Sequence, residues 1–141
     1  MKTVKLKDIA EAMDIQMDDI RQYYSKRDAE LVMLFVDNDE FEENVALQNA
    51  IEDGDENYIR LPSEFEIHEY KIMEDFASVQ PDEIKEKLLD KLHSKGAFRK
   101  FKDAVFYMDI QQDWFDYKNS RYRDIAREWC EINGVKCDEC D

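Results

Sequence analysis

The chain has 141 residues and a formal net charge of −15, from 35 acidic and 20 basic side chains. Hydrophobic residues make up 43% of the sequence, which is too many for a disordered chain and enough for one packed core. The acidity excludes a surface that binds bare nucleic acid as a whole, since phosphates would be repelled. We therefore expect a single domain over residues 1–141 and no direct contact with nucleic acid.

Two features of the sequence bear on the cell compartment. The basic first residues are not followed by the apolar core of a signal sequence, and the longest apolar run, residues 31–36, is too short to cross a bilayer. The three cysteines are an odd number, and two of them lie in the last five residues, so they do not form a disulfide framework. We expect a cytoplasmic protein that does not contact a membrane.

The first elements along the chain are a helix and a hairpin. Residues 6–13 predict the helix, because their apolar members recur at helical spacing: Leu6, Ile9, Ala10 and Met13. Residues 20–25 and 30–36 are rich in aromatic and branched side chains, and the polar residues 26–29 between them predict a turn. The apolar run within the second strand is typical of a buried strand.

An acidic segment follows the hairpin. Residues 37–56, which we call the acidic segment, contain nine Asp or Glu and no Lys or Arg. A weak apolar stripe predicts a helix here, with Gly54 as its stop. Residues 58–61 then predict a third short strand, which Pro62 ends.

The second half of the sequence predicts four helices. The first begins at a capping box, Ser63 with Glu66, and runs to about Val79. The others begin near Pro81, Gly96 and Trp114, and the last of them ends near Ile132, before Gly134. The expected apolar faces of the last two helices are Phe98, Phe101, Val105 and Met108, and Phe115, Tyr122, Ile125, Trp129 and Ile132.

These elements predict an α+β fold, in which a small antiparallel sheet of about three strands packs with a predominantly helical C-terminal half. We expect Trp114 and Trp129 to be largely buried between the last two helices.

A cluster of bases interrupts the acidity of the chain. Residues 91–102 contain five Lys or Arg and no acid, while the rest of the chain carries 15 bases and 35 acids. Gly96 opens the predicted third helix, where backbone N–H groups are free and anions are favoured. We therefore predict an anion- or partner-binding surface, called the basic surface below, formed by Lys95, Gly96, Arg99, Lys100 and Lys102. In the alternative reading, these bases pair with surface acids of the same chain.

Other chemical signals in the sequence are weak. Cys137 and Cys140 form a lone C-x-x-C near Cys130, and without a second pair or further histidines nearby we expect a mobile tail rather than a metal site. His68 with Glu69 begins like a zinc-protease motif, but Ile72 stands where the second histidine belongs. We expect His68 to be a partly buried structural residue, with an acid–base role as the alternative.

Two stretches of the chain resemble a known family. One comprises residues 58–62 and 68–76, and the other comprises residues 95–103 with Trp114 and the pair Glu128 and Trp129. They are similar to the uncharacterised bacterial protein family numbered 0158, and the similarity extends from the first helix to Val135. The resemblance implies a small bacterial protein and brings no activity, substrate or cofactor.

The chain departs from that family at two positions. The family usually has a glycine in the hairpin turn, near the place of Ala29 here. It often has a glycine before the basic residue that opens the second stretch, where this chain has Ser94, a candidate cap for the following helix.

The interpretation that fits these observations best is a non-enzymatic intracellular interaction or regulatory module that binds an unidentified protein partner through its basic surface. Two alternatives remain open: a nucleic-acid mimic that presents the acidic segment to a basic protein, and an enzyme whose carboxylates hold a metal. We expect no catalytic residues, no metal ligands and no cofactor, and the sequence leaves the oligomeric state open.

Overall fold

The computed structural model of the chain describes residues 3–17 and 19–139. In chain order its elements are β1 (Val4–Lys5), α1 (Leu6–Met13), β2 (Ile20–Ser25), β3 (Glu30–Phe35), α2 (Glu42–Glu52), β4 (Tyr58–Arg60), α3 (Glu64–Ile67), α4 (Glu69–Ser78), α5 (Asp82–Leu92), α6 (Ala97–Tyr107), α7 (Gln111–Asn133) and β5 (Cys137–Asp138). The α+β prediction is confirmed, because helices dominate the second half and a three-stranded antiparallel sheet of order β3-β2-β4 lies in the first.

The contacts of the chain divide it into two compact units. The first unit comprises Met1–Ile67 and Tyr122–Asp141, and the second comprises His68–Arg121. Helix α7 contributes residues to both. The expectation of a single domain stays a prediction.

The first unit contains the sheet. Helix α1 buries the side chains that its periodicity predicts, and the predicted hairpin forms, with Ser25 opposite Glu30. Central strand β2 buries Tyr23 and Tyr24. The rings of Trp129 in α7 and Tyr24 form an edge-on pair with centroids 6.1 Å apart, and the Trp129 indole N–H donates to the Arg60 carbonyl oxygen at 3.0 Å. Trp129 is therefore buried, but it packs against the sheet and not between the last two helices as expected.

The second unit is built on an aromatic core. Trp114 of α7 is buried against Phe101 of α6 and Phe76 of α4, with ring centroids 4.9 and 5.4 Å away, each in an edge-on arrangement. Such pairs add to the free energy of burial because the positive ring edge meets the negative ring face. Trp114 is thus buried between the last two helices as predicted, and α4 also contributes to its surroundings.

The helix expected from Ser63 to Val79 is interrupted. The capping box forms, since the Ser63 N–H donates to Glu66 Oε1 and the Glu66 N–H donates to Ser63 Oγ, both at 3.3 Å. His68 then adopts φ +54°, a left-handed conformation that a right-handed helix cannot continue. The chain therefore forms α3 and α4 as separate helices, and His68 is exposed rather than partly buried.

Two predictions of buried side chains are also wrong in part. Residues 31–36 do not form a buried strand, because β3 is at the edge of the sheet and only Leu34 among them is buried. In α7, Phe115 and Ile132 are exposed, whereas Tyr122, Ala126 and Trp129 are buried. Local spacing predicted that a face exists, but the neighbouring elements decide which side chains it buries.

The predicted mobile tail is ordered as far as Glu139. Strand β5 pairs in parallel with β1, with Cys137 opposite Val4 and Asp138 opposite Lys5. Arg127 of α7 holds the next residue, since its Nε–H donates to Glu139 Oε1 at 2.8 Å. Cys140 lies outside the described residues.

Candidate functional site

The junction between α5 and α6 positions the basic surface in the second unit. The Ser94 hydroxyl donates to the Lys91 carbonyl oxygen at 2.7 Å, so Ser94 closes the end of α5 and does not cap α6 as suggested by its place in the sequence. Tyr70 of α4 reinforces the same end, because its hydroxyl donates to the Leu92 carbonyl oxygen at 2.9 Å. These bonds hold the segment that carries Lys95 and Gly96.

Gly96 precedes the first turn of α6 and adopts φ +74°. A glycine suits this position because a side chain makes left-handed backbone costly. The space around its α-carbon is open, and no side chain among the described residues caps the first turn of α6. The first backbone N–H groups of α6 therefore have no side-chain acceptor in this part of the chain.

The four bases of the basic surface differ in their partners. All four are exposed. Lys102 Nζ lies 3.9 Å from Glu69 Oε1, and Lys118 Nζ lies 3.6 Å from the same oxygen. For Lys95, Arg99 and Lys100, residues 3–17 and 19–139 provide no carboxylate within 4.0 Å. The alternative reading of internal pairing thus applies to Lys102 and not to the other three bases.

Two aromatic residues continue the same side of α6. Phe106 follows Arg99 by seven residues and Tyr107 follows Lys100 by seven, which is close to two full helical turns. Phe106 is 61% exposed, Tyr107 is 83% exposed, and their rings meet edge-on at 5.8 Å. Phe98, which was expected in the core, is half-exposed beside Tyr70. The exposed side of α6 therefore combines unpaired bases with aromatic rings. Of these rings, the sequence pattern singled out only Phe98, and it predicted Phe98 in the core.

The carboxylates of the acidic segment are accessible to solvent. All nine of its carboxylates are on exposed residues, and the only buried residue of α2 is Asn44. Within residues 3–17 and 19–139, no three His, Cys, Asp or Glu residues are grouped so that they could hold a metal ion. The observation that would have favoured the metal-enzyme reading is thus missing from the described part of the chain.

Two cysteines meet where α7 and β5 approach. Burial and a hydrogen bond with Cys137 raise the pKa of the Cys130 thiol to about 12. Cys130 is therefore a poor nucleophile and a poor metal ligand at neutral pH, because both roles need the thiolate. Cys137 is half-buried and carries a free thiol.

The first unit has an open groove of about 380 Å³ that the sequence did not reveal. Its apolar lining comes from Pro62, Ile125, Trp129 and Ile132, and its polar lining comes from Arg60, Glu66, Glu128 and Asn133. Local patterns could not find this groove, because β4 and the end of α7 are far apart in the sequence. The exposed Ile132 on a predicted apolar face was the one available signal.

The comparison with known proteins gives a family. A model of the uncharacterised protein family UPF0158 matches residues 2–138. The chain belongs to this family. A UPF0158 relative from Pseudomonas aeruginosa PAO1, named UPF0158 protein PA5073, is 33% identical over 67 residues. That alignment covers 46% of this chain and 44% of the relative, and no solved structure matches. The resemblance predicted from residues 58–62, 68–76 and 95–103 is confirmed, and UPF0158 membership assigns no activity.

None of the helices in the described part of the chain combines the length and the apolar character that crossing a membrane requires.

Proposed function

We propose that this protein is a non-enzymatic interaction module of the cytoplasm, and that its basic surface binds an acidic protein partner. One observation carries the proposal: Lys95, Arg99 and Lys100 are exposed without a carboxylate within 4.0 Å among the described residues, although the chain has a net charge of −15. The free thiols of Cys130 and Cys137 support the cytoplasmic location, since they suit a reducing compartment.

The exposed side of α6 suits a partner that is both acidic and partly apolar. Unpaired bases at the first turn attract carboxylates, which raises the association rate more than the affinity. Exposed Phe106 and Tyr107 offer apolar area two turns away, and aromatic residues supply much of the binding energy in interfaces. An acidic amphipathic segment of a protein would contact both parts of this side.

A synthetic poly-glutamate peptide with a fluorescent label tests the electrostatic part of the proposal. We expect the triple variant Lys95→Ala, Arg99→Ala, Lys100→Ala to bind this peptide at least about tenfold more weakly than the wild type, as measured by anisotropy. A control with the same loss of charge, Lys5→Ala, Lys7→Ala, Lys87→Ala, should bind as the wild type does. Binding should also weaken with salt, because the site is exposed.

Two outcomes would contradict the proposal. Equal affinity of the triple variant and the control would show that the basic surface is not the binding site. Complete displacement of the peptide by a few equivalents of inorganic phosphate would show a small-anion site in place of a protein-binding surface.

A second candidate function rests on the acidic segment, which carries nine exposed carboxylates and no Lys or Arg. In this reading the segment mimics a nucleic acid and binds a basic protein. A labelled poly-lysine peptide should then bind the wild type and lose affinity in the variant Glu42→Gln, Glu43→Gln, Glu52→Gln. The control Glu83→Gln, Glu86→Gln, Asp90→Asn removes three acids from α5. Equal losses in both would indicate only the general charge of the chain.

A further inference from the structure

The groove of the first unit has the composition of a small-molecule site. Its volume of about 380 Å³ lies within the range of ligand pockets, roughly 300–1,000 Å³. Its lining is mainly apolar, with Ile125, Trp129 and Ile132 from α7 and Pro62 from the segment after β4. Ile132 is 75% exposed, so a ligand that covered it would remove apolar surface from water.

The charged groups of the groove decide which ligand fits. Glu66 also lines it, but its carboxylate already accepts the Ser63 hydrogen bonds of the capping box. Arg60 and Glu128 have no oppositely charged side chain within 4.0 Å among the described residues, and they do not pair with each other. The groove therefore offers one guanidinium and one carboxylate without an ion-pair partner, beside the Glu66 carboxylate, which keeps its negative charge while it accepts the Ser63 hydrogen bonds.

The charges of Arg60 and Glu128 are of opposite sign, so a ligand with a single charge pairs with only one of them. An anion would pair with Arg60 but be opposed by the carboxylates of Glu66 and Glu128, and a cation would pair with a carboxylate but leave Arg60 without a partner. An uncharged apolar ligand would cover both charges without giving either a partner, which costs free energy. A ligand with both charges and an apolar body gives Arg60 and Glu128 each a partner and covers the apolar part of the lining.

We propose that the groove binds a zwitterionic apolar α-amino acid, with its carboxylate on Arg60, its ammonium on Glu128 and its side chain over Trp129 and Ile132. This inference is independent of the proposed role of the basic surface, which lies in the other unit. No covalent step is involved, so the site would serve recognition.

An NMR titration of the full chain with L-leucine tests this inference. The indole N–H of Trp129, which bonds to the Arg60 carbonyl oxygen in the groove wall, should shift in a saturable way with a dissociation constant below about 1 mM. The indole of Trp114 belongs to the second unit and should stay unchanged. Leucinamide and N-acetyl-leucine each lack one of the two charges, and both should bind at least about tenfold more weakly.

Variants assign the two charges. Arg60→Gln and Glu128→Gln should each weaken leucine binding at least about tenfold, whereas Glu131→Gln, a matched change on the same helix outside the groove, should not. In the variant Glu128→Gln, leucine should also bind no more tightly than N-acetyl-leucine, because the ammonium group of leucine has lost its partner.

The inference is overturned if no saturable shift of Trp129 appears up to about 10 mM leucine, or if leucinamide and N-acetyl-leucine bind the wild type as well as leucine does. The second result would mean apolar adhesion only. The titrations of the wild-type chain are enough to decide whether leucine binds through both of its charges. The inference therefore remains testable even if a variant fails to fold.

Discussion

Among residues 3–17 and 19–139, four other than glycine adopt left-handed backbone: Ala29, Asp37, His68 and Asp109. Asp tolerates this conformation better than other residues because its short polar side chain bonds locally. Ala29, in the hairpin turn, has no such compensation at φ +53°. The turn therefore holds a local strain, near the place where the resemblance implies a glycine.

Replacing Ala29 with glycine should raise the free energy of unfolding by up to about 1 kcal/mol, because glycine adopts positive φ without steric cost. Urea denaturation measures the difference. The control Ala46→Gly lies in the exposed interior of α2 and should lower the same quantity by about 1 kcal/mol. A loss of stability in Ala29→Gly would contradict the role assigned to this backbone angle.

The two described cysteines should differ in reactivity. The pKa of about 12 keeps Cys130 protonated at pH 8, whereas Cys137 is accessible from solvent. Iodoacetamide should therefore label Cys137 and leave Cys130 unmodified in the folded chain, as read by mass spectrometry of peptides. Both should react in urea. Labelling of Cys130 at the rate of Cys137 in the folded chain would contradict its burial.

At the scale of elements, an ion network joins α4 to α7 within the second unit. Asp75 Oδ2 accepts from Arg121 at 2.8 Å, and Lys71 Nζ lies 3.0 Å from Asp75 Oδ1. Arg121 also bonds to the Tyr117 hydroxyl at 2.9 Å. Hydrogen bonds from Arg121 and then Lys71 hold the pKa of the Asp75 carboxyl below its ordinary value of 3.8.

This network should make part of the stability depend on pH. A carboxyl with a lowered folded pKa stabilises the fold above its ordinary value of 3.8, and this contribution is lost as the pH falls through the folded pKa. Asp75→Asn should thus cost about 1 kcal/mol at pH 7, and the difference from the wild type should vanish in strong acid. Melting curves from pH 7 to pH 2 measure it, with exposed Asp103→Asn as the control. A cost that did not change with pH would indicate lost packing.

Local sequence signals predicted the positions of the helices and strands better than they predicted which side chains contact a neighbouring element. The Ser63 and Glu66 capping box, Gly54 and Gly134 act within a few residues, so they place helix ends correctly. The contact partner of Trp129 is β4, nearly seventy residues away, and the exposure of Ile132 depends on the same strand. No local spacing encodes a contact over such a distance in the sequence. The same limit explains why the charges at the start of α6 were predicted, while the groove of Arg60 and Glu128 was not.

At the scale of the whole molecule, charge is segregated along the chain, and its acidic part lies against an open strand. The outer side of β3 would present unpaired backbone groups to other chains. Asn44 of α2 covers one position: its Oδ1 accepts the Phe35 N–H at 2.9 Å, and its Nδ2 donates to the Phe35 carbonyl oxygen at 2.7 Å. One amide side chain thus replaces a pairing strand.

Asn44→Leu should unpair both backbone groups of Phe35 and lower the free energy of unfolding by about 2 kcal/mol. The variant should also form larger particles at high protein concentration, as measured by light scattering. This should be strongest near 1 M salt, where the acids of α2 are screened over about 3 Å. Exposed Asn49→Leu on the same helix is the control. Equal scattering of the two variants would show that Asn44 does not protect the strand.

The hydrogen bonds between α2 and β3 restrict how this sequence can change during evolution. Charges that only keep other chains away act through their number, so the carboxylates of residues 37–56 can exchange Asp for Glu, or move by a position, at little cost. Asn44 has no such freedom, because it must offer a donor and an acceptor at one distance from Phe35. We therefore expect the acidic positions of residues 37–56 to vary rapidly among related sequences, while Asn44 stays the same.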